Sequence, residues 1–119
     1  MKYTFTGKKS ITVINGKNVL LNQIACGDLV GGWIEGEWNL SQEGECFVYE
    51  NGIVCGNARV YGNACISGDA LVCGNARVYG DAIVTGDSIV SDYACVYGDV
   101  TISYDFNIGK TMRWNDTVR

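Results

Sequence analysis

Valine or isoleucine recurs at every sixth position from Val48 to Ile108: Val48, Val54, Val60, Ile66, Val72, Val78, Val84, Val90, Val96, Ile102 and Ile108. Four residues after most of them stands a small side chain, as at Ala58, Ala64, Ala70, Ala76, Ala82, Ser88 and Ala94. Between the two comes a Gly-Asn or Gly-Asp pair, as at Gly56-Asn57, Gly62-Asn63, Gly68-Asp69 and Gly74-Asn75. A period of six belongs neither to a helix nor to a simple strand; it marks a repeat architecture. Each hexad reads as a short strand and a corner. The β-branched residue suits an extended, buried position. Glycine followed by Asn or Asp suits a sharp bend, because these residues enter left-handed backbone most cheaply. Alanine or serine fits a crowded inner corner.

One hexad cannot bury its valine alone, so hexads must wrap and stack. The segment Cys55-Gly-Asn-Ala-Arg-Val-Tyr-Gly62 recurs identically as Cys73 to Gly80, eighteen residues later. Three hexads therefore make one turn of a triangular coil, and Val48 to Ile108 supplies three to four coils. Parallel strands stack about 4.8 Å apart, which gives a prism about 18 Å tall. Val60, Val72, Val78 and Val84 are expected inside, with Ala58, Ala76 and Ala82 at inner corners.

Before the repeat, Lys9 to Ile14, then Asn15-Gly16, then Lys17 to Ile24 reads as a β-hairpin, since Asn-Gly between β-rich runs is a strong hairpin signal. An open solenoid end exposes strand edges and invites end-to-end stacking. The hairpin with Trp33, Trp38 and Phe47 is expected to cap the first coil, and Phe106, Met112 and Trp114 to plug the last. The chain divides into an N-terminal hairpin and capping segment (1–45), the repeat (46–108) and a C-terminal cap or tail (109–119).

Composition narrows the chemistry. Sixteen glycines and no proline fit glycine-built corners. The net charge of −4 has no long run of either sign and gives no support to nucleic-acid or anionic-membrane binding. The start has no apolar core for a signal peptide, so a cytoplasmic home is expected. Six cysteines form no Cys-x-x-Cys and there is no histidine, which argues against a structural zinc site and reads as reduced thiols packed as small apolar groups. No cofactor is implied.

The repeats resemble the hexapeptide-repeat family. That resemblance implies an all-β fold, a single-stranded left-handed parallel β-helix with the N-terminal β-hairpin as cap. With Gly27-Asp-Leu-x-Gly-Gly-Trp-Ile-Glu35 and Asn39-Leu-Ser41 preceding the Gly-Asn-Ala repeats, the chain is similar to small hexapeptide-repeat proteins of phage and prophage genomes. In those a longer loop usually precedes Gly-Asp-Leu, whereas Ile24-Ala-Cys-Gly-Asp is short here. The wider family is best known for trimeric acyltransferases that use a histidine base, and for carbonic-anhydrase-like members that hold zinc through histidines. This chain has no histidine, so neither chemistry is supported and no enzyme is expected. The leading expectation is a non-catalytic phage or prophage accessory protein that binds and inhibits a host protein, such as a defence complex. The alternatives are a sponge for a small anionic, nucleotide-like ligand, and a structural or virion scaffold.

Positions eighteen apart form outward ladders. One face carries Arg59, Arg77 and Cys95 beside Tyr61, Tyr79 and Tyr97. Arginine and tyrosine are enriched at binding hot spots, but stacked tyrosines are also ordinary sheet neighbours. A second face carries Phe47, Cys65, Ile83 and Thr101. The third carries Ile53, Leu71 and Ile89 beside Cys55 and Cys73, too apolar for a solvated surface; it is the candidate interface of a homo-oligomer. The family resemblance favours a trimer. Acidic corners form the ladders Asp69-Asp87-Asp105 and Asp81-Asp99; turn chemistry accounts for them, and no calcium-loop spacing is present.

Overall fold

In the computed structural model, residues 2–103, 107–108 and 113–114 are described. Twelve two-residue strands follow one another at six-residue intervals: β4 Phe47–Val48, β5 Ile53–Val54, β6 Arg59–Val60, β7 Cys65–Ile66, β8 Leu71–Val72, β9 Arg77–Val78, β10 Ile83–Val84, β11 Ile89–Val90, β12 Cys95–Val96, β13 Thr101–Ile102, β14 Asn107–Ile108 and β15 Arg113–Trp114. From β7 onward each strand pairs in parallel with the strand three before it. Three sheets result, with the orders β5-β8-β11-β14, β4-β7-β10-β13 and β6-β9-β12-β15. The register is the eighteen-residue repeat: Val54 lies on Val72, Val60 on Val78 and Ile66 on Val84. The chain is a β-solenoid of about four turns.

The hydrogen bonds run between coils, the amide of one residue donating to the carbonyl seventeen residues on. Arg59 N–H donates to Ala76 O at 3.0 Å and Arg77 N–H to Ala94 O at 2.9 Å. The expected core is in place: Val60, Val72, Val78, Val84, Ala58, Ala76 and Ala82 are all at most 1% exposed. The bends are left-handed, and at Gly74 (φ +67°) an added Cβ would meet the Asp92 amide nitrogen at 2.8 Å. The strand pattern continues past 108, because β15 keeps the six-residue spacing and pairs with β12. Phe106, Met112 and Asp105 lie outside the described residues.

The N-terminal hairpin is longer than the sequence implies. The hairpin strands are β1 Thr4–Ile14 and β2 Lys17–Cys26, and a third strand, β3 Leu29–Ile34, joins them to the solenoid. β2 pairs antiparallel with β3, and β3 pairs in parallel with β5, so the hairpin extends the third face into one continuous sheet. β3 approaches closely because it carries Gly31 and Gly32: a Cβ on Gly31 would meet the Phe47 ring at 2.6 Å, and one on Gly32 the Gly52 carbonyl at 2.5 Å. The open end is closed chiefly by Tyr3, Ile24, Ile34 and Leu40, all buried. Tyr3 Oη donates to Leu40 O at 2.6 Å. Gln42 holds the segment just before β1, accepting from the Lys2 and Tyr3 amides and donating to Tyr3 O.

Of the three aromatic residues expected at this cap, Phe47 is buried, Trp33 is half-buried on the side of the sheet, and Trp38 is 52% exposed. Trp38 sits in a short 3-10 turn, Glu37–Asn39, with its indole N–H bonded to Gly56 O at 2.8 Å. It therefore decorates a corner and does not plug the end. The buried Asn39 fixes that corner: its Oδ1 accepts from the amides of Glu35 and Gly36, and its Nδ2 donates to Gly56 O and Ala58 O.

Candidate functional site

The Arg–Tyr face is built by β6, β9 and β12. In a two-residue strand the valine points inward, so its predecessor points outward. Arg59 and Arg77 are exposed beside buried Val60 and Val78. The two arginines are direct register partners on adjacent coils. Like charges opposite one another destabilise a sheet. Among the described residues, neither guanidinium has a hydrogen-bond or ion-pair partner. Beside them Tyr61, Tyr79 and Tyr97 form a column of rings, with centroids 4.9 Å apart at 3° and then 5.4 Å apart at 11°.

At the upper end this face deepens into a groove of about 400 Å³. It is lined by Glu37, Trp38, Ser41, Arg59, Tyr61 and Arg77, with Val60 behind. The five residues expected to bind a partner are thus brought onto one face, and three of them line one groove. The sequence reading missed Glu37 and Trp38, which lie in the 3-10 turn, and Ser41 just after it; all three line the same groove. It also missed Arg113, whose strand pairs with Cys95 and so continues the Arg59-Arg77-Cys95 register; the signal was its spacing of two full coils from Arg77.

The third face has a different fate. Leu21, Cys55 and Cys73 form a buried cluster, packed by Ile14, Val19, Trp33, Ile53 and Leu71. The hairpin has folded down over the apolar ladder. Ile53, Leu71 and Ile89 are half-buried, and Cys55 and Cys73 are buried. The hairpin thus covers the apolar residues Ile53 and Leu71, with Cys55 and Cys73, from within the chain. All six cysteines are free thiols. Burial first, then the neighbouring Cys73 and Glu35, pushes the Cys55 thiol up to about 12. Burial, reinforced by Asp92, also raises Cys73. Both are kept neutral and unreactive.

The corner ladders are hydrogen-bonded turns: Asn51 Nδ2 donates to Asp69 Oδ1 at 3.1 Å, and Asn63 Nδ2 to Asp81 Oδ1 at 3.3 Å. Among the described residues no group of three or more His, Cys, Asp or Glu side chains gathers as a metal site. No helix among them is long and apolar enough to cross a membrane.

A repeat model described as the YdcK beta solenoid repeat matches residues 54–68 and 76–92. The chain is 42% identical over 64 residues to a protein of Escherichia coli (strain K12) named "Uncharacterized acetyltransferase YdcK". That match covers 46% of this chain and 20% of the relative, so the chain aligns with about a fifth of the length of this curated relative. The matched repeat and the coil geometry agree: this is a repeat-type β-helix protein.

Proposed function

We propose that this chain is a non-catalytic binding protein of the phage or prophage accessory type, and that its working surface is the Arg59–Arg77 and Tyr61–Tyr79–Tyr97 face. The partner is a host protein presenting an acidic patch, held on that face so that its own activity is blocked. One observation carries this reading: two exposed guanidiniums stand in direct cross-strand register, and among the described residues neither is hydrogen-bonded or ion-paired, although Glu37 lines the same groove. The solenoid bears the repulsion between them. A carboxylate or phosphate bridging them removes it, and arginine's planar fork suits both groups. The tyrosine column adds a flat surface that loses little freedom on binding.

The groove favours a second reading, a small anionic ligand, because its size is that of a small-molecule pocket. The relative is named an uncharacterized acetyltransferase, and the alignment spans only a fifth of that protein. The chain contains no histidine to serve as the base.

The test is the double variant Arg59→Ala, Arg77→Ala, compared with wild type by affinity capture from host lysate and by melting with added pyrophosphate. The variant is expected to fold, to melt no lower than wild type without ligand, and to lose the captured protein. Pyrophosphate raising the wild-type melting temperature alone, with no protein captured, favours the small-ligand reading. Capture unchanged in the variant places the site elsewhere and ends the proposal.

A further inference from the structure

β1 is an outer strand: among the described residues it pairs with β2 alone, and its far edge carries no strand. The alternation along the hairpin separates two faces. Ile14, Val19 and Leu21 turn toward the solenoid and pack against Cys55 and Cys73. Ile11 and Val13 turn the other way, with Leu20 directly opposite Ile11. These three are 67%, 66% and 49% exposed. A free, apolar strand edge of this kind is what folded proteins usually guard with lysines and bulges. Here those devices end at residue 9: the register is broken between Phe5 and Lys9, and Lys8 and Lys9 precede the bare run Ser10-Ile-Thr-Val-Ile14.

We propose that the β1 edge is an interaction surface for a second copy of this chain, the two β1 strands pairing antiparallel about a two-fold axis at Thr12. The pattern around Thr12 is self-complementary. The axis sets Ile11 against Val13 of the second copy twice over, and Ser10 against Ile14, so both faces keep their parity. The outward apolar residues of both hairpins then form one continuous stripe flanked by the two Leu20 side chains. The contact is isologous and closes at two chains.

Charge supplies the competing occupant. Residues 2–26 hold Lys2, Lys8, Lys9 and Lys17 and no acidic residue, which would suit an acidic strand from another protein. Two of those lysines are already engaged: Lys9 Nζ donates to Asn22 Oδ1 at 2.6 Å, and Lys2 Nζ to Cys46 O at 2.6 Å. The symmetric register places Lys8 opposite Gly16 of the second copy, beside its Lys17. Pairing of two copies therefore works against a mild repulsion and strengthens with added salt, whereas docking to an acidic surface weakens with salt.

The test is sedimentation equilibrium of the wild-type chain and of the double variant Ile11→Lys, Val13→Lys, at low and high salt. Circular dichroism and the urea midpoint confirm that the variant is folded, as both side chains are two-thirds exposed. The expected result is a monomer–dimer equilibrium that tightens with salt and weakens by about tenfold or more in the variant. Thr12→Cys places two thiols at the axis and should give a disulfide-linked dimer on mild oxidation, which wild type does not. A wild type that remains a single chain at high micromolar concentration, growth beyond two chains, a dimer indifferent to the Lys substitutions, or association that weakens with salt would each overturn the proposal. The last would point to a contact between unlike charges on the two copies, away from the β1 edge.

Discussion

Replacing Gly74 with alanine tests whether the bends are set by backbone conformation or by the spacing of the coils. Gly74 has φ +67°, and a Cβ there would stand 2.8 Å from the Asp92 amide nitrogen and 3.2 Å from its Cα and carbonyl oxygen. These are backbone atoms of the next coil and cannot rotate aside. Alanine in left-handed backbone costs about 1–2 kcal/mol, and overpacking a fixed wall adds about 1–3 kcal/mol. The less flexible unfolded chain returns about 0.4–1 kcal/mol. Gly74→Ala should therefore lose about 2–4 kcal/mol. Gly16→Ala is the control: Gly16 has φ +78°, but nothing lies within 4 Å of its Cβ position. It carries the conformational cost alone and should lose about 1 kcal/mol. Glu50 and Asp92 adopt left-handed backbone without glycine, both at φ 56°. At Glu50 the side chain compensates, because its Oε1 accepts from the Gly68 amide at 2.9 Å; alanine has no such bond to offer. Urea midpoints compared at a common slope give the two losses. Equal losses for Gly74→Ala and Gly16→Ala would refute the spacing argument.

Two further predictions concern stability. Tyr3→Phe removes the buried bond to Leu40 O and should cost about 1–3 kcal/mol, with amide exchange at residues 40–46 rising more than in the lower coils. Cys55 is raised from 9.0 to about 12, so its neutral thiol stabilises the fold fully below pH 9, and that contribution is lost as pH climbs toward 12. In alkaline urea titrations Cys55→Ala should keep a larger share of its neutral-pH stability between those limits than wild type does; a parallel decline in both would show that another group governs.

The repeat was legible because one periodic constraint acts on every coil. Val60, Val78 and Val96 face inward for the same reason, and all are buried. The Arg–Tyr face was legible for the same cause: a ladder eighteen residues apart is a geometric necessity once three hexads make a turn. The hairpin's docking was not, because Leu21 meets Cys55 and Cys73 through a single aperiodic fold-back. The cover over Ile53 and Leu71 was hidden for the same reason, because sequence shows that a surface is apolar without showing what packs on it. Trp38 was misread as a cap for a related reason: its direction is set by the buried hydrogen bonds of Asn39. Gly31-Gly32 was the available clue to β3, since only a strand lying tight against Phe47 and Gly52 requires both.

The identical octapeptides at Cys55–Gly62 and Cys73–Gly80 give the coil an evolutionary meaning. Because each coil offers the next the same amide and carbonyl pattern, a crossover between them removes or inserts one eighteen-residue turn without disturbing its neighbours. The arginines and tyrosines travel with that unit. Each inserted turn adds one guanidinium and one ring to the same column, so the valency of the face grows by integer steps with the length of the chain. Tuning grip and altering height are then a single genetic event, and a lineage can sample stronger or weaker binders by recombination alone.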